Sequence, residues 1–176
     1  MNSIVIDLAK KTESFPHYWK KCIGSCHAST ALREDWRIQM RRCRSELGFD
    51  YVRFHGLLCD DMHVYREYDG VPAYSFFNID SIFDFLLEIG MKPFIELSFM
   101  PNDMASGKNT IFAYKANVTP PKDFLQWAGL VEKLVLHLID RYGREEVRTW
   151  FFEVWNEPNL KDFWTGTKMD YFQLYK

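Results

Sequence analysis

The chain has no apolar run approaching the roughly 18–20 residues that a helix needs to cross a bilayer, so it offers no candidate for a transmembrane helix. It also carries almost no net charge, with 22 Lys and Arg against 24 Asp and Glu giving −2 at pH 7. Nucleic-acid binders concentrate basic side chains to neutralise phosphates. The densest basic cluster here, Arg41, Arg42 and Arg44, lies on an amphipathic helix pattern whose solvated face accounts for it. Neither nucleic acid nor a membrane is therefore expected as a partner. No Gly-x-Gly-x-x-Gly or Walker loop follows an apolar run, which removes the commonest reason for a nucleotide-binding sheet. No Gly-x-Ser-x-Gly elbow is present, so a Ser-His-Asp hydrolase is not supported. Residues 1–7 lack the basic start and long apolar stretch of a secretory leader. Only four cysteines occur. The pair Cys22 and Cys26, beside His27, has no second closely spaced ligand pair, so neither a metal, another cofactor nor a disulfide framework is expected. Reduced thiols in a cytoplasmic protein fit this usage.

Aromatic side chains are abundant, at 17% of the 176 residues. Most such rings build cores, but flat faces also stack on the C–H groups of sugars. Three segments repeat one grammar of apolar helix, glycine and apolar strand. The first predicts a helix over 31–47, capped by Ser29 or Thr30 and stopped at Gly48, then a strand over 51–54. The second opens at Asn78, carries Ile79, Ile82, Phe83 and Leu86, stops at Gly90 and leads to a strand over 93–97. The third starts near 121–123, ends at Gly143 and precedes an apolar run over 147–155. A segment near 19–25 supplies the strand before the first helix, and a last helix begins near Met169 and Asp170.

The strand runs alternate little, which predicts burial on both faces and hence a parallel sheet under helices. Such β/α units fit a doubly wound sheet or a (β/α)8 barrel, and periodicity alone does not choose. The long segments after the strands, 55–74 and 98–120, are rich in Asp, His, Asn and aromatics, as are loops that build the active face of a barrel. The fold class expected is α/β, the N-terminal half of a (β/α)8 TIM barrel with about four units, since a complete barrel takes about 250 residues. Residues 1–18 are expected as an N-terminal strand or linker and 19–176 as the half-barrel, whose two unpaired edges are an aggregation liability.

The residues that point to chemistry follow the last apolar run. Asn156-Glu157-Pro158-Asn159 stands at its carboxyl end. Glycoside hydrolysis uses two carboxyl groups, about 5–5.5 Å apart in retaining enzymes and about 6.5–9.5 Å apart in inverting ones. Glu157 suits the general acid/base, and Asn156 beside it suits a sugar hydroxyl; an ordinary strand-to-loop turn is the competing reading. His55 ends a strand on the same side and suits either a sugar contact or a packed structural histidine. Arg53 suits either the orientation of a catalytic carboxylate or a buried ion pair. Phe112 and Trp164 are candidate pocket walls, though core packing also explains them. Glu153 reads as a polar member of the sheet interior, Glu96 as a pocket residue or a structural hydrogen bond, Asp60 and Asp61 as loop caps, and His27 as a weaker site candidate.

The segments 51–61, 117–123 and 147–160, which include Arg53-Phe54-His55-Gly56 and Trp155-Asn156-Glu157-Pro158-Asn159-Leu160, resemble those of glycoside hydrolase family 39 β-xylosidases. The resemblance implies a (β/α)8 barrel and a retaining mechanism on β-xylosides. It implies Glu157 as acid/base at the end of the fourth strand, Asn156 as a 2-hydroxyl contact, and His55 in the xylose subsite. Members of that family are considerably longer, with a nucleophilic glutamate after the seventh strand and an accessory β-sandwich. Neither is matched here, so the chain by itself is expected to be inactive, and residues 4–8 are expected as the strand that pairs with the sandwich. The expected partner is a small carbohydrate; a homo-oligomer of the longer protein stays open. The alternatives are another glycoside, an α-L-iduronide or β-glucoside, and a sugar-binding or regulatory fragment without turnover.

Overall fold

The computed structural model describes residues 3–5, 7, 9, 10 and 14–176. Of the strand expected over 4–8, residues 6 and 8 lie outside the described residues, and Ile4, Val5 and Asp7 have no strand geometry. The centre of the fold is a four-stranded, wholly parallel sheet of β1 (Cys22–His27), β2 (Tyr51–His55), β3 (Lys92–Glu96) and β4 (Phe151–Glu153), adjacent in chain order. The helices are α1 (Glu34–Arg42), α2 (Phe77–Glu88), α3 (Phe124–Tyr142) and α4 (Lys168–Tyr175), one after each strand. A strand, a helix and a neighbouring parallel strand, repeated, is the β/α winding expected.

Helix α2 buries Ile79, Ile82, Phe83, Phe85 and Leu86, and α3 buries Trp127, Leu130, Leu134 and Leu138. These positions recur every three or four residues, so each helix turns one stripe to the sheet. Asp123 caps α3 by accepting a hydrogen bond from the Leu125 N–H at 2.8 Å. Thr167 and Asp170 form a reciprocal capping box that starts α4. Gly48 and Gly90 follow α1 and α2 at φ of 75° and 73°, where a Cβ would be costly.

Three elements differ from the sequence pattern. Helix α1 begins at Glu34, not at 31, because Thr30 Oγ1 donates to the His27 carbonyl at 2.6 Å and closes a 3-10 turn over Ala28–Leu32. Its end runs on through a π turn at Cys43–Leu47. Strand β4 has three residues, because Arg144–Val147 winds into a short helical turn and Thr149 Oγ1 donates to the Glu146 carbonyl at 2.7 Å. Third, the strands are not buried on both faces. In β2, Val52 and Phe54 are buried while Tyr51, Arg53 and His55 are half-buried. One face of the sheet packs under the helices; the other carries polar and aromatic side chains.

The segments 55–74 and 98–120 each contain a hairpin, Tyr65–Tyr68 with Val71–Tyr74 and Thr110–Ile111 with Ala116–Asn117. Among the described residues no helix is long and apolar enough to cross a membrane. All four cysteines are free thiols. Cys59 is buried, and desolvation pushes its thiol up to about 12, whereas Cys26 is exposed. Because the thiolate is the nucleophile, iodoacetamide at neutral pH is expected to label Cys26 while sparing Cys59, as peptide mapping will read.

Candidate active site at the strand ends

Parallel register sets the site. Arg53 pairs with Phe94, Phe94 with Phe151, and Glu96 with Glu153. Side chains two residues apart share a face of a strand, so Arg53 and His55 of β2, Glu96 of β3 and Glu153 of β4 project together. Arg53 Nε donates to Glu153 Oε2 at 2.7 Å and its Nη2 to Glu153 Oε1 at 2.8 Å. This is the bidentate geometry that makes arginine–carboxylate pairs strong. The same Nη2 donates to Asn156 Oδ1 at 2.8 Å and lies 2.8 Å from Glu96 Oε2. The Glu153 hydrogen bonds push the guanidinium above its ordinary pKa against the opposing effect of burial, and the Glu96 charge adds to them.

Glu96 is the buried hub, with 0% of its surface exposed. Its Oε2 meets His55 Nδ1 at 2.7 Å, and its Oε1 accepts from Ser98 Oγ. The Ser98 hydroxyl oxygen accepts in turn from the Asn156 N–H at 3.3 Å. Asn156, itself buried, is thus held by its backbone and by its side-chain oxygen, which leaves Nδ2 as its donor.

Glu157 follows at once with φ of 46°. A non-glycine residue in the left-handed region costs roughly 1–2 kcal/mol. The turn swings this side chain out of the sheet and exposes it, while its carbonyl accepts from the Leu160 N–H at 3.0 Å. Among the described residues the Glu157 carboxyl has no ion-pair partner. The chain therefore ends β4 with one anchored amide and one outward carboxyl.

A ladder of near-parallel rings walls this region. Phe112, at φ 62° in the 110–117 hairpin and 42% exposed, lies over His55 with centroids 5.9 Å apart. Tyr114 stacks on Phe112 at 5.3 Å and on His27 at 3.6 Å. His27 sits with Nδ1 3.2 Å from Ser29 Oγ and Nε2 3.2 Å from Asp61 Oδ2. Burial works to raise the Asp61 pKa, but the His27 and Ser29 contacts outweigh it and hold the carboxyl below its ordinary value. His27 is thus bound into the scaffold behind the site. Asp60 is likewise occupied, accepting from Asn102 and Arg66.

The geometry thus unites Arg53, His55, Asn156 and Phe112, with Glu157 next to Asn156. It does not place Trp164 among them. Trp164 is 4% exposed, its indole N–H donates to the Thr167 carbonyl at 3.1 Å, and its ring packs against Trp155. That is a core position, because an indole that has to satisfy one N–H and bury its rings finds both beneath the 157–167 segment. The residues that sequence reasoning missed are Tyr114 and Ser98. Neither carries a motif; a charge in the apolar run Phe94-Ile95-Glu96-Leu97 is the one local sign of the hub. Among the described residues no group of three or more His, Cys, Asp or Glu side chains is placed to hold a metal ion.

In parallel β/α folds ligand sites lie at the carboxyl ends of the strands, the end at which these polar groups gather. The particular family follows from comparison. The family profile described as glycosyl hydrolases family 39 matches residues 2–176, and the chain belongs to that family. It is 64% identical over 175 residues to a β-xylosidase of Caldicellulosiruptor saccharolyticus, an alignment that covers 98% of this chain and 36% of that relative. It is 48% identical to a β-xylosidase of Geobacillus stearothermophilus, covering 93% of this chain and 34% of the relative. Among solved structures, a monomeric β-xylosidase from Caulobacter crescentus superposes with a TM-score of 0.88 at 43% identity, covering 96% of this chain and 34% of that one. The chain spans about a third of the length of these relatives.

Proposed function

We propose that this chain supplies the acid/base half of a retaining β-xylosidase site, and that its four strands are the first half of a (β/α)8 barrel. The observation that carries the reading is Glu157, turned outward at the end of β4 beside an Asn156 amide fixed by Arg53. Glu157 gives its proton to the leaving oxygen as the glycosidic C–O bond breaks and a second carboxylate bonds to the anomeric carbon. It then takes a proton from the water that attacks that carbon, and the bond to the second carboxylate breaks. The names of the two β-xylosidase relatives support xylose as the sugar.

The second carboxylate lies outside these residues. A nucleophile has to face the anomeric carbon, and Glu153 is held with both oxygens turned to the Arg53 fork. Glu96 gives its oxygens to His55 and Ser98 and has no exposed surface. An aryl β-xyloside is therefore expected to be turned over by the native polypeptide that carries this sequence and not by the 176-residue chain alone. Measurable release by the isolated chain sinks the half-site reading. Faster release from an aryl α-L-iduronide or β-glucoside replaces the substrate. Thermal stabilisation by xylose without any hydrolysis by the native polypeptide points instead to a sugar-binding protein.

A further inference from the structure

We propose that Glu96 and Ser98 are positioning residues that fix the tautomer of His55, so that its ring presents Nε2 to the sugar as a hydrogen-bond acceptor. The substrate half of this statement rests on the xyloside reading of the site; the tautomer half does not.

Glu96 Oε2 lies between two groups, the Arg53 guanidinium at 2.8 Å and His55 Nδ1 at 2.7 Å. A guanidinium has hydrogens and no lone pair to offer, so it needs an ionised acceptor, and a proton on Oε2 would give up that charge-assisted contact. Oε1 faces Ser98 Oγ, whose oxygen already accepts from the Asn156 N–H at 3.3 Å. Ser98 is fully buried. If its hydroxyl proton were not given to Glu96 Oε1, it would be orphaned, at a cost of roughly 1–3 kcal/mol. Both oxygens of Glu96 are therefore acceptors, and the hydrogen between Glu96 and His55 belongs to Nδ1.

A neutral imidazole with hydrogen on Nδ1 carries a lone pair on Nε2. Among the described residues Nε2 has no hydrogen-bond partner, and the His55 side chain is 23% exposed beside the stacked Phe112 ring. Arg53 does the same to Asn156, by taking its Oδ1 and leaving Nδ2 as the donor. The strand ends thus present one acceptor and one donor, each polarised by a buried partner. Adjacent sugar hydroxyls, one donating and one accepting, match that pair. The bland alternative is that Glu96 serves only as a counter-charge to Arg53, which leaves the His55 tautomer free.

The two readings separate by nitrogen-15 NMR of the His55 ring in the native polypeptide. The proposal expects the neutral ring to carry its hydrogen on Nδ1; a predominant Nε2–H form overturns it. The Glu96→Leu variant, which keeps volume and removes both acceptors, is expected to return His55 to a mixture of tautomers. The same variant is expected to lower kcat/KM for an aryl β-xyloside, on the order of 10²-fold for a displaced contact. In a His55→Ala background the loss is expected to shrink, because the contact that Glu96 positions is already gone. An equal loss in both backgrounds assigns Glu96 to Arg53 alone. Should the Glu96→Leu variant not fold, the wild-type tautomer still decides. Absence of xyloside turnover by the wild-type protein overturns the substrate half and leaves the tautomer result standing.

Discussion

Glu157→Gln in the native polypeptide is expected to lower kcat for an unactivated β-xyloside by roughly 10²–10⁴-fold, the usual contribution of a positioned general acid or base. The loss has a pattern that a structural defect does not. Glutamine keeps the size of the side chain and its place on the left-handed turn, so folding should change little, and so should KM for the unactivated substrate. A leaving group that departs as a stable anion needs no proton, so its first step survives. Its second step does not, because water has lost its base, and the covalent sugar intermediate accumulates. Azide needs no deprotonation and should restore turnover of such substrates. Equal losses for good and poor leaving groups, with no effect of azide, would remove Glu157 from the acid/base role.

Arg53→Ala is expected to cost about 3–5 kcal/mol of stability, the range for removing one partner from a buried ionic group. The size follows from what stays behind. Glu96 keeps a carboxyl with no exposed surface, and Glu153 and Asn156 lose their donors in the same step. This is a penalty for orphaned charge and not a measure of what the network contributes over an apolar core. Arg53→Lys keeps the charge but replaces a planar fork with a point donor that cannot serve Glu153 bidentately. It should lose about 1.5–3 kcal/mol, the worth of a hydrogen bond to a charged group. Urea unfolding of both variants checks the order; a loss under 1 kcal/mol for Arg53→Ala would show that the partners find water or each other.

The sequence made α2 and α3 legible because their apolar spacing holds over several turns and a glycine follows each. It misled at α1, where a cap-like threonine serves a turn at the end of β1 instead. The 65–74 hairpin carried a readable sign, Asp69-Gly70, whose φ values of 50° and 79° are those of a tight hairpin turn. The 110–117 hairpin carried none. At the site, Asn156 and Glu157 were legible because they are neighbours in sequence at the end of an apolar run. The bidentate pair was open at the level of residue types only, since Arg53 and Glu153 are separated by 100 residues. Glu96 and Ser98 gain their meaning from three strands at once, and Trp164 shows that aromatic content does not distinguish a wall from a core.

The left-handed backbone at Glu157 also bears on heat resistance. A glycine there would shed the steric cost of that conformation, roughly 1 kcal/mol after its own entropy is counted. For a domain of about 150–250 residues that is a rise in melting temperature of roughly 2–4 °C. Glu157→Gly should therefore melt higher than the parent and do no hydrolysis, as calorimetry beside an activity assay will show. A screen for thermal survival alone would select against the residue on which the proposed reaction depends.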